Sequence, residues 1–145
     1  MDALTFLSAH VPMFAGVSEE ALSPLAAAAT LKTFAPGQAV VFAGMTVESL
    51  HIVATGMVFV QMKVPNKGMV RVAELTTGQV FGEASILEAG IASATVKAGE
   101  AGAVVLLVPE EPFRRLVDQD AAFAARVRAM IQQRRAPPPA QPVAA

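Results

Sequence analysis

Residues 81–96, FGEASILEAGIASATV, carry the strongest structural signal in this sequence. The pattern predicts a strand that ends at Phe81, a turn at Gly82 and Glu83, a short turn of helix, a break at Gly90 and a new strand. A short helix that opens on a glycine presents free backbone N–H groups, and such groups attract a phosphate. The segment therefore predicts a small anion-binding element inserted between two strands.

Short β-rich runs flank this segment at nearly regular spacing. Turn signals rich in Pro, Gly and Asn separate the runs, as at Pro36-Gly37 and at residues 65–68. This spacing is typical of antiparallel sandwiches and jelly rolls. We therefore expect a mainly β fold, an antiparallel jelly roll (double-stranded β-helix) of about eight strands with helices at both ends. The runs lie at 31–35, 39–43, 48–54, 57–64, 69–75, 79–81, 93–98 and 103–108.

Helical patterns occupy the two ends of the chain. Residues 3–9 are mostly apolar, and Ser18 is a typical N-cap for a second helix. After Pro109 the apolar residues return to helical spacing, and residues 118–120 predict a joint between two C-terminal helices. One face of the last helix carries an apolar stripe, formed by Phe123, Val127, Met130 and Ile131.

The length of 145 residues predicts one domain. We place this domain at residues 1–135 and expect residues 136–145, rich in Pro and Ala, to be an extended and mobile tail. The stripe on the last helix either packs on the barrel or pairs with a second copy or a protein partner. Four arginines near the end of that helix are expected to face solvent: Arg126, Arg128, Arg134 and Arg135.

Composition narrows the classes of function. The net charge of −1 gives no overall attraction to nucleic acid or to an anionic membrane. The absence of cysteine excludes disulfides, thiolate metal sites and a cysteine nucleophile. No transmembrane-length apolar run and no signal peptide is seen, so we expect a cytoplasmic protein. His10 and His51 lack partners at ligand spacing, the carboxylates are scattered and no serine sits in a nucleophile elbow, so we expect neither a metal site nor an enzyme.

The segment 81–96 resembles the phosphate-binding cassette of the cyclic nucleotide-binding domain family, which includes the sensor half of catabolite activator proteins. Residues 11–18, VPMFAGVS, are similar to the family's N-terminal helix lead-in, and residues 34–44 with 50–58 are similar to its paired glycines around a strand. The resemblance covers residues 8–133 and implies the same jelly roll with two C-terminal helices. No helix-turn-helix pattern follows the last helix, so direct DNA binding is not expected.

The resemblance implies a ligand site at Gly82, Glu83, Ala84, Ser85, Ala92 and Ser93. In the family the glycine backbone approaches the ligand, the glutamate accepts a hydrogen bond from the ribose 2′-hydroxyl, and the residue matching Ser93 contacts the phosphate. The N–H groups of Ala84 and Ser85 would face the anion. The family's cassette ends in Pro-Arg-(Ser or Ala)-Ala-Thr-Val, and the arginine pairs with the cyclic phosphate. In this chain the proline position is Ile91 and the arginine position is Ala92.

Ala92 decides between the functional interpretations. A hydrogen bond to a charged group contributes roughly 1.5–3 kcal/mol, so its loss weakens phosphate binding by about 10–150-fold. The leading interpretation is a regulatory or interaction module with a degenerate cassette and weak or no binding of cAMP or cGMP. The first alternative is a working cAMP or cGMP receptor whose phosphate site is rescued by another cation, Lys97 and Arg71 being the nearest in sequence. The second alternative is a structural module that forms homodimers through the last helix.

Apolar side chains are expected to fill the remaining space beside the cassette. An empty cavity would be costly, so we expect Ile91 and Leu87 to occupy it. Thr95 is expected to face the barrel interior as an ordinary β-former.

Overall fold

A helical cap opens the chain in the computed structural model, which describes residues 2–92 and 94–135. Ser18 caps the second helix as predicted, because its hydroxyl oxygen accepts a hydrogen bond from the Ala21 N–H at 3.1 Å. Asp2 caps the first helix in the same way, through the Thr5 N–H at 2.8 Å. The elements of the cap are helix α1 (Ala3–His10), a 3₁₀ turn (Pro12–Phe14) and helix α2 (Glu19–Ala28).

An antiparallel sheet follows the cap, and the predicted jelly-roll class is confirmed. The strands hydrogen-bond in the order β1-β6-β3-β4, with β2 also paired to β6 and β5 also paired to β3. The pairing between β3 and β6 is the longest ladder and forms the central part of the sheet. The strands are β1 (Thr30–Phe34), β2 (Ala39–Val41), β3 (Ser49–Val64), β4 (Gly68–Thr76), β5 (Val80–Phe81) and β6 (Thr95–Pro109).

The described residues form six strands where eight runs were predicted, because β3 and β6 each include two of the runs. Gly56 and Gly102, with φ of +79° and +78°, face each other across these two strands. A Cβ atom on Gly56 would lie 2.4 Å from the Gly102 carbonyl oxygen, so only glycine allows the close approach. The β3–β6 register shifts on both sides of Gly56. The glycines therefore bend the strands at bulges and do not end them.

Two helices close the described chain, α3 (Glu110–Gln119) and α4 (Ala121–Arg135). Asp120 joins them, and its Oδ1 accepts a hydrogen bond from the Phe123 N–H at 3.0 Å, which confirms the predicted joint. Phe123 stacks on Phe14 at 5.5 Å between ring centroids, which fixes α4 against the N-terminal cap. No helix within residues 2–92 and 94–135 is long and apolar enough to cross a bilayer.

The stripe on α4 is buried against the same chain. Phe123 and Val127 are fully buried and Ile131 is 3% exposed, and all three belong to the single hydrophobic core. Arg126 is exposed as expected, yet its guanidinium also donates hydrogen bonds to the carbonyl oxygens of Met13 and Ala15. These contacts pin α4 to the 3₁₀ turn. The predicted tail, residues 136–145, lies outside the described residues.

Candidate ligand-binding cassette

The cassette begins as predicted, at the end of a strand. Strand β5 ends at Phe81, Gly82 turns the chain with φ of +95°, and a π-helical turn spans Ser85–Ala89. The Ile86 N–H donates to the Gly82 carbonyl oxygen at 3.0 Å, and the Gly90 N–H closes the turn on the Ser85 carbonyl oxygen. Gly90 has φ of +74°, a left-handed conformation that ends a helix at low cost for glycine. The sequence pattern thus located the turn and both of its ends.

Gly82 lies directly against strand β3. A Cβ atom at this position would come within 3.2 Å of the Ser49 carbonyl oxygen and 3.4 Å of Val47 Cγ1. The His51 ring is close as well, with its Nδ1 atom 3.6 Å from the same point. The close approach of backbone to backbone, together with the positive φ, explains why a glycine stands here.

His51 is a neighbour of the cassette that the sequence analysis treated as isolated. Its ring stacks on Phe81 at 4.7 Å between centroids, and its Nδ1 atom lies 2.9 Å from the Ser49 carbonyl oxygen. Burial lowers the pKa of His51 to about 4, with the Lys32 charge acting in the same direction and the Ser49 contact opposing it. His51 is therefore neutral near pH 7, and its ring packs beside Gly82 together with the Phe81 ring.

The remaining family positions at the start of the turn differ in burial. Glu83 is 1% exposed, whereas Ala84 and Ser85 are half-buried. A carboxylate at the start of a helical turn complements the helix dipole, so Glu83 has a structural role beside any role toward a ligand. Ser93 lies outside the described residues, and its predicted phosphate contact stays a prediction.

Ala92, where the resemblance predicts the arginine position, is held in place by its main chain. Its N–H donates to the Met45 carbonyl oxygen at 2.8 Å, and its carbonyl oxygen accepts from the Gly44 N–H at 2.8 Å. The methyl group is buried, at 7% exposure, within the hydrophobic core. Thr46 pairs with Ile91 in an antiparallel bridge, so Met45 is the residue across from Ala92. The Ala92 backbone is therefore bonded to both Gly44 and Met45, while its side chain is a buried methyl group.

The expectation for Ile91 is wrong. Its side chain is 49% exposed and cannot fill the space beside the cassette. Ile86, at 1% exposure, belongs to the hydrophobic core, and the partly buried Leu87 packs against that core. Because the bridge to Thr46 turns Ile91 outward, one step along the strand turns Ala92 inward.

The two cations nearest in sequence lie on the opposite face of the sheet. The Arg71 guanidinium sits over the Phe59 ring at 3.7 Å and pairs with Glu74 at 3.5 Å. Lys97 is directly across from Phe59 in the β3–β6 ladder. Both residues flanking Phe59 along β3, Val58 and Val60, face the core, so alternation directs Phe59 away from it. Arg71 and Lys97 therefore share the outer face and do not approach Ala92.

A third cation, Arg114, contacts the cassette from the helical side. Arg114 on α3 donates a hydrogen bond to the Ile86 carbonyl oxygen, and its Nε lies 3.3 Å from Glu110 Oε2. Beside it, a groove of about 370 Å³ separates the cassette turn from α3 and α4, with Leu87, Val117 and Ile131 on its walls. None of the family's ligand positions lines this groove. Arg114 fixes the cassette to α3 and is already paired with a carboxylate.

Thr95 is buried and has a hydrogen-bonding role that the sequence did not show, while its inward direction stays a prediction. It is 7% exposed, and its Oγ1 accepts a hydrogen bond from the Ala43 N–H at 3.1 Å. This contact satisfies a backbone donor at the end of the β2 segment. Within residues 2–92 and 94–135, no group of three or more His, Cys, Asp or Glu side chains is placed to hold a metal ion.

Comparison with known proteins agrees with this geometry. The family model described as "Cyclic nucleotide-binding domain" matches residues 31–120. The chain belongs to the cyclic nucleotide-binding domain family. Domains of this family are regulatory or sensor modules, and the match includes the whole cassette.

One curated relative is a much longer protein than this chain. The chain is 32% identical over 119 residues to "Glutaminase 1" of Bradyrhizobium diazoefficiens. The alignment covers 82% of this chain and 18% of the glutaminase. The chain thus spans less than a fifth of that relative's length.

Solved structures of this family share the fold at low sequence identity. The catabolite activator protein of Thermus thermophilus superimposes with a TM-score of 0.72 at 24% identity, over 85% of this chain and 57% of that chain. The regulatory subunit of a cAMP-independent protein kinase A from Trypanosoma brucei superimposes with a TM-score of 0.76 at 22% identity, over 93% of this chain and 46% of that chain. A triple variant of that subunit, in which one substitution introduces an arginine, is bound to cAMP. It superimposes with a TM-score of 0.73 at 22% identity, over 94% of this chain and 46% of that chain.

Proposed function

We propose that this domain is a regulatory module whose cassette is degenerate and which binds cAMP and cGMP weakly or not at all. The observation that carries the proposal is Ala92, a buried methyl group at the position where the family has the phosphate-binding arginine. Its main chain is held at both hydrogen-bonding groups by the segment 44–45. The module acts through protein contacts and has no catalytic activity of its own, and a cytoplasmic location belongs to the same proposal.

A cyclic phosphate would find no positive charge at position 92. A cyclic phosphate that enters an apolar site without a countercharge loses hydration and gains no ion pair in return. The arginine's bidentate contact contributes roughly 1.5–3 kcal/mol, so its absence alone costs about 10–150-fold in affinity. Arg71 and Lys97 lie on the outer face of the sheet, and Arg114 is paired with Glu110. No rescue of the phosphate site comes from these three cations.

Two of the similar proteins support this interpretation. The trypanosome subunit is described as cAMP-independent, and its cAMP-bound form carries an introduced arginine. The fold is thus compatible with a regulatory domain that does not respond to cAMP. The glutaminase, in which a similar domain makes up only a small part of the chain, supports a role beside a separate functional unit.

Calorimetric titration with cAMP and with cGMP tests the proposal. We expect no dissociation constant in the low micromolar range for the native chain. The Ala92→Arg variant should gain at least about tenfold in affinity for one of the two ligands, because it restores the bidentate contact. Ile91→Arg is the matched control: it adds the same charge one residue away, on a side chain that points outward.

A low-micromolar constant for the native chain would overturn the proposal in favour of a working receptor. Equal gains from Ala92→Arg and Ile91→Arg would show that general charge, and not the cassette geometry, governs affinity. Glu83→Ala in the Ala92→Arg background should reduce the gain if the ribose contact of the family operates here. Thermal unfolding of each variant checks that it is folded.

A homodimer through α4 has less support. The apolar stripe that suggested it is buried within the protomer, so it offers no free surface for a second copy. Sedimentation equilibrium at several concentrations decides the matter, and we expect a monomer.

A further inference from the structure

The end of the β3–β4 hairpin extends beyond the rest of the sheet. Gln61 and Thr95 form the last pair between β3 and β6, and beyond it β3 continues to Val64. In the described part of the chain, residues 62–64 pair only with β4. We call residues 62–72 the hairpin tip. It is a two-stranded projection with water on both faces.

The hairpin tip exposes large apolar side chains. Met62 is 43% exposed, Met69 is 52% exposed and Val72 is 50% exposed. Met62 is paired with Val70, and Met69 is paired with Lys63, so the two methionines point to opposite faces of the ribbon. Exposure of several large apolar residues on one short projection marks an interaction site.

The hairpin tip is also basic, as is helix α4, in a chain that is slightly acidic as a whole. Lys63, Lys67 and Arg71 fall within it, and no Asp or Glu occurs from residue 49 to residue 73. Arg71 pairs with Glu74, which leaves the lysines as the principal charges at the end. Both lysines are exposed. The net charge of −1 for the whole chain therefore conceals a local positive end.

The turn holds this end in one shape. The Lys67 N–H donates to the Val64 carbonyl oxygen at 3.0 Å. Asn66 and Gly68 take left-handed conformations, with φ of +68° and +73°. Pro65 fixes one further dihedral. A preformed projection loses little conformational entropy when it binds.

We propose that the hairpin tip inserts into the surface of an anionic lipid bilayer. A protein partner covers one face of a ribbon, whereas the acyl region of a membrane surrounds a projection and accepts apolar side chains from both faces. Met62 and Met69 enter this region from opposite faces, while Lys63 and Lys67 extend their ammonium groups back to the headgroup phosphates. The insertion is independent of the cassette, since Ala92 lies on the inner side of the barrel wall.

The electrostatic part of this binding requires acidic lipid. Each lysine near an anionic surface strengthens binding, and salt weakens the attraction within a Debye length. We therefore expect co-sedimentation of the full chain with vesicles of phosphatidylcholine mixed with phosphatidylglycerol, less with phosphatidylcholine alone, and less again at high salt.

Paired variants separate the two contributions. Lys63→Glu with Lys67→Glu should lower the partition coefficient by about 30-fold or more, because two attractive charges become repulsive. Met62→Ser with Met69→Ser should lower it by about tenfold. Lys32→Glu with Arg115→Glu changes the net charge equally on other exposed elements, and Leu31→Ser removes an exposed apolar side chain elsewhere. Neither control should change binding by more than about twofold.

A fluorescence measurement locates the inserted segment. The chain has no cysteine, so Pro65→Cys gives a single labelling site at the tip and Leu31→Cys gives one away from it. An environment-sensitive label at residue 65 should shift to the blue on vesicles, and the label at residue 31 should not. Absence of vesicle binding, or binding with no change at residue 65, overturns the proposal. Binding of polyglutamate through the two lysines without vesicle binding also overturns it, because the surface would then dock an acidic protein.

Discussion

The cassette begins and ends in different ways. At its beginning, residues 81–86 lie against the sheet through their side chains and through a glycine that touches strand β3. At its end, residues 90–92 are held by main-chain hydrogen bonds to the segment 44–47. In the first part Gly82 is closely packed and Glu83 is buried. In the last part Ala92, at the position where our proposal places the family's arginine, makes backbone hydrogen bonds that any residue other than proline could make.

This difference separates two kinds of family residue. Gly82 and Glu83 serve the fold, since the glycine allows a close backbone approach and the glutamate opens a helical turn. An arginine at position 92 would serve only the ligand, because its side chain adds nothing to the main-chain bonds that hold the segment. Under the proposed function, the arginine can therefore be replaced while the cassette stays folded.

The largest expected effect comes from Glu83, if its role is structural. Glu83→Ala should lower the free energy of unfolding by roughly 2–4 kcal/mol, because it removes a fully buried side chain and its contacts. Chemical denaturation without any nucleotide measures the change. Glu100→Ala, at an exposed position, is the control and should stay within about 0.5 kcal/mol. An increase in stability on loss of Glu83 would assign the residue to the ligand alone.

A fall in pH should lower the free energy of unfolding by a similar amount, through His51 beside the beginning of the cassette. The folded chain holds His51 neutral with a pKa of about 4, while the unfolded chain protonates it near 6.5. The unfolded state therefore binds more protons between these values, and stability falls by about 3 kcal/mol as pH drops from 6.5 to 4. His51→Gln should flatten this part of the stability profile. His10→Gln, at the exposed end of α1, should leave it unchanged, and equal profiles for the native chain and His51→Gln would contradict the prediction.

The two glycines of the cassette give the smallest and most direct comparison. Gly82→Ala adds a methyl group within 3.2 Å of the Ser49 carbonyl oxygen at a positive φ, so we expect a loss of about 2–3 kcal/mol. Gly90→Ala has the same backbone strain but nothing within 4 Å, so we expect a loss of about 1 kcal/mol. Thermal unfolding of both variants ranks them. Equal losses would mean that the beginning of the cassette is no more tightly packed than its end.

The sequence predicted those features that depend on neighbouring residues. Ser18 as a cap, Asp120 at the helix joint and the turn between Gly82 and Gly90 follow from local hydrogen bonding and backbone preference. The outward direction of Ile91 did not follow, because it is set by a bridge to Thr46 far along the chain. Met45 and Val47 were missed for the same reason, since they contact the cassette only after the barrel closes.

The glycines of β3 and β6 show the same limit. A glycine between two β-rich runs predicts a turn as readily as a bend, and local sequence does not distinguish them. The close approach of Gly56 to Gly102 explains the bend, and that approach joins distant parts of the chain. The direction of Arg71 is likewise fixed by the Phe59 ring on the neighbouring strand.

The long β3–β6 ladder has a consequence for how the chain folds. The cassette lies in the chain between these strands, inside the loop that their pairing closes. Loop closure must precede the contacts that reward it, and folds dominated by such distant pairs form slowly. The cassette therefore takes its final shape late, after the ladder has formed, and an excised peptide of residues 81–96 would lack the surfaces that hold it. Refolding kinetics, more than equilibrium stability, should register changes at the meeting point of Gly56 and Gly102.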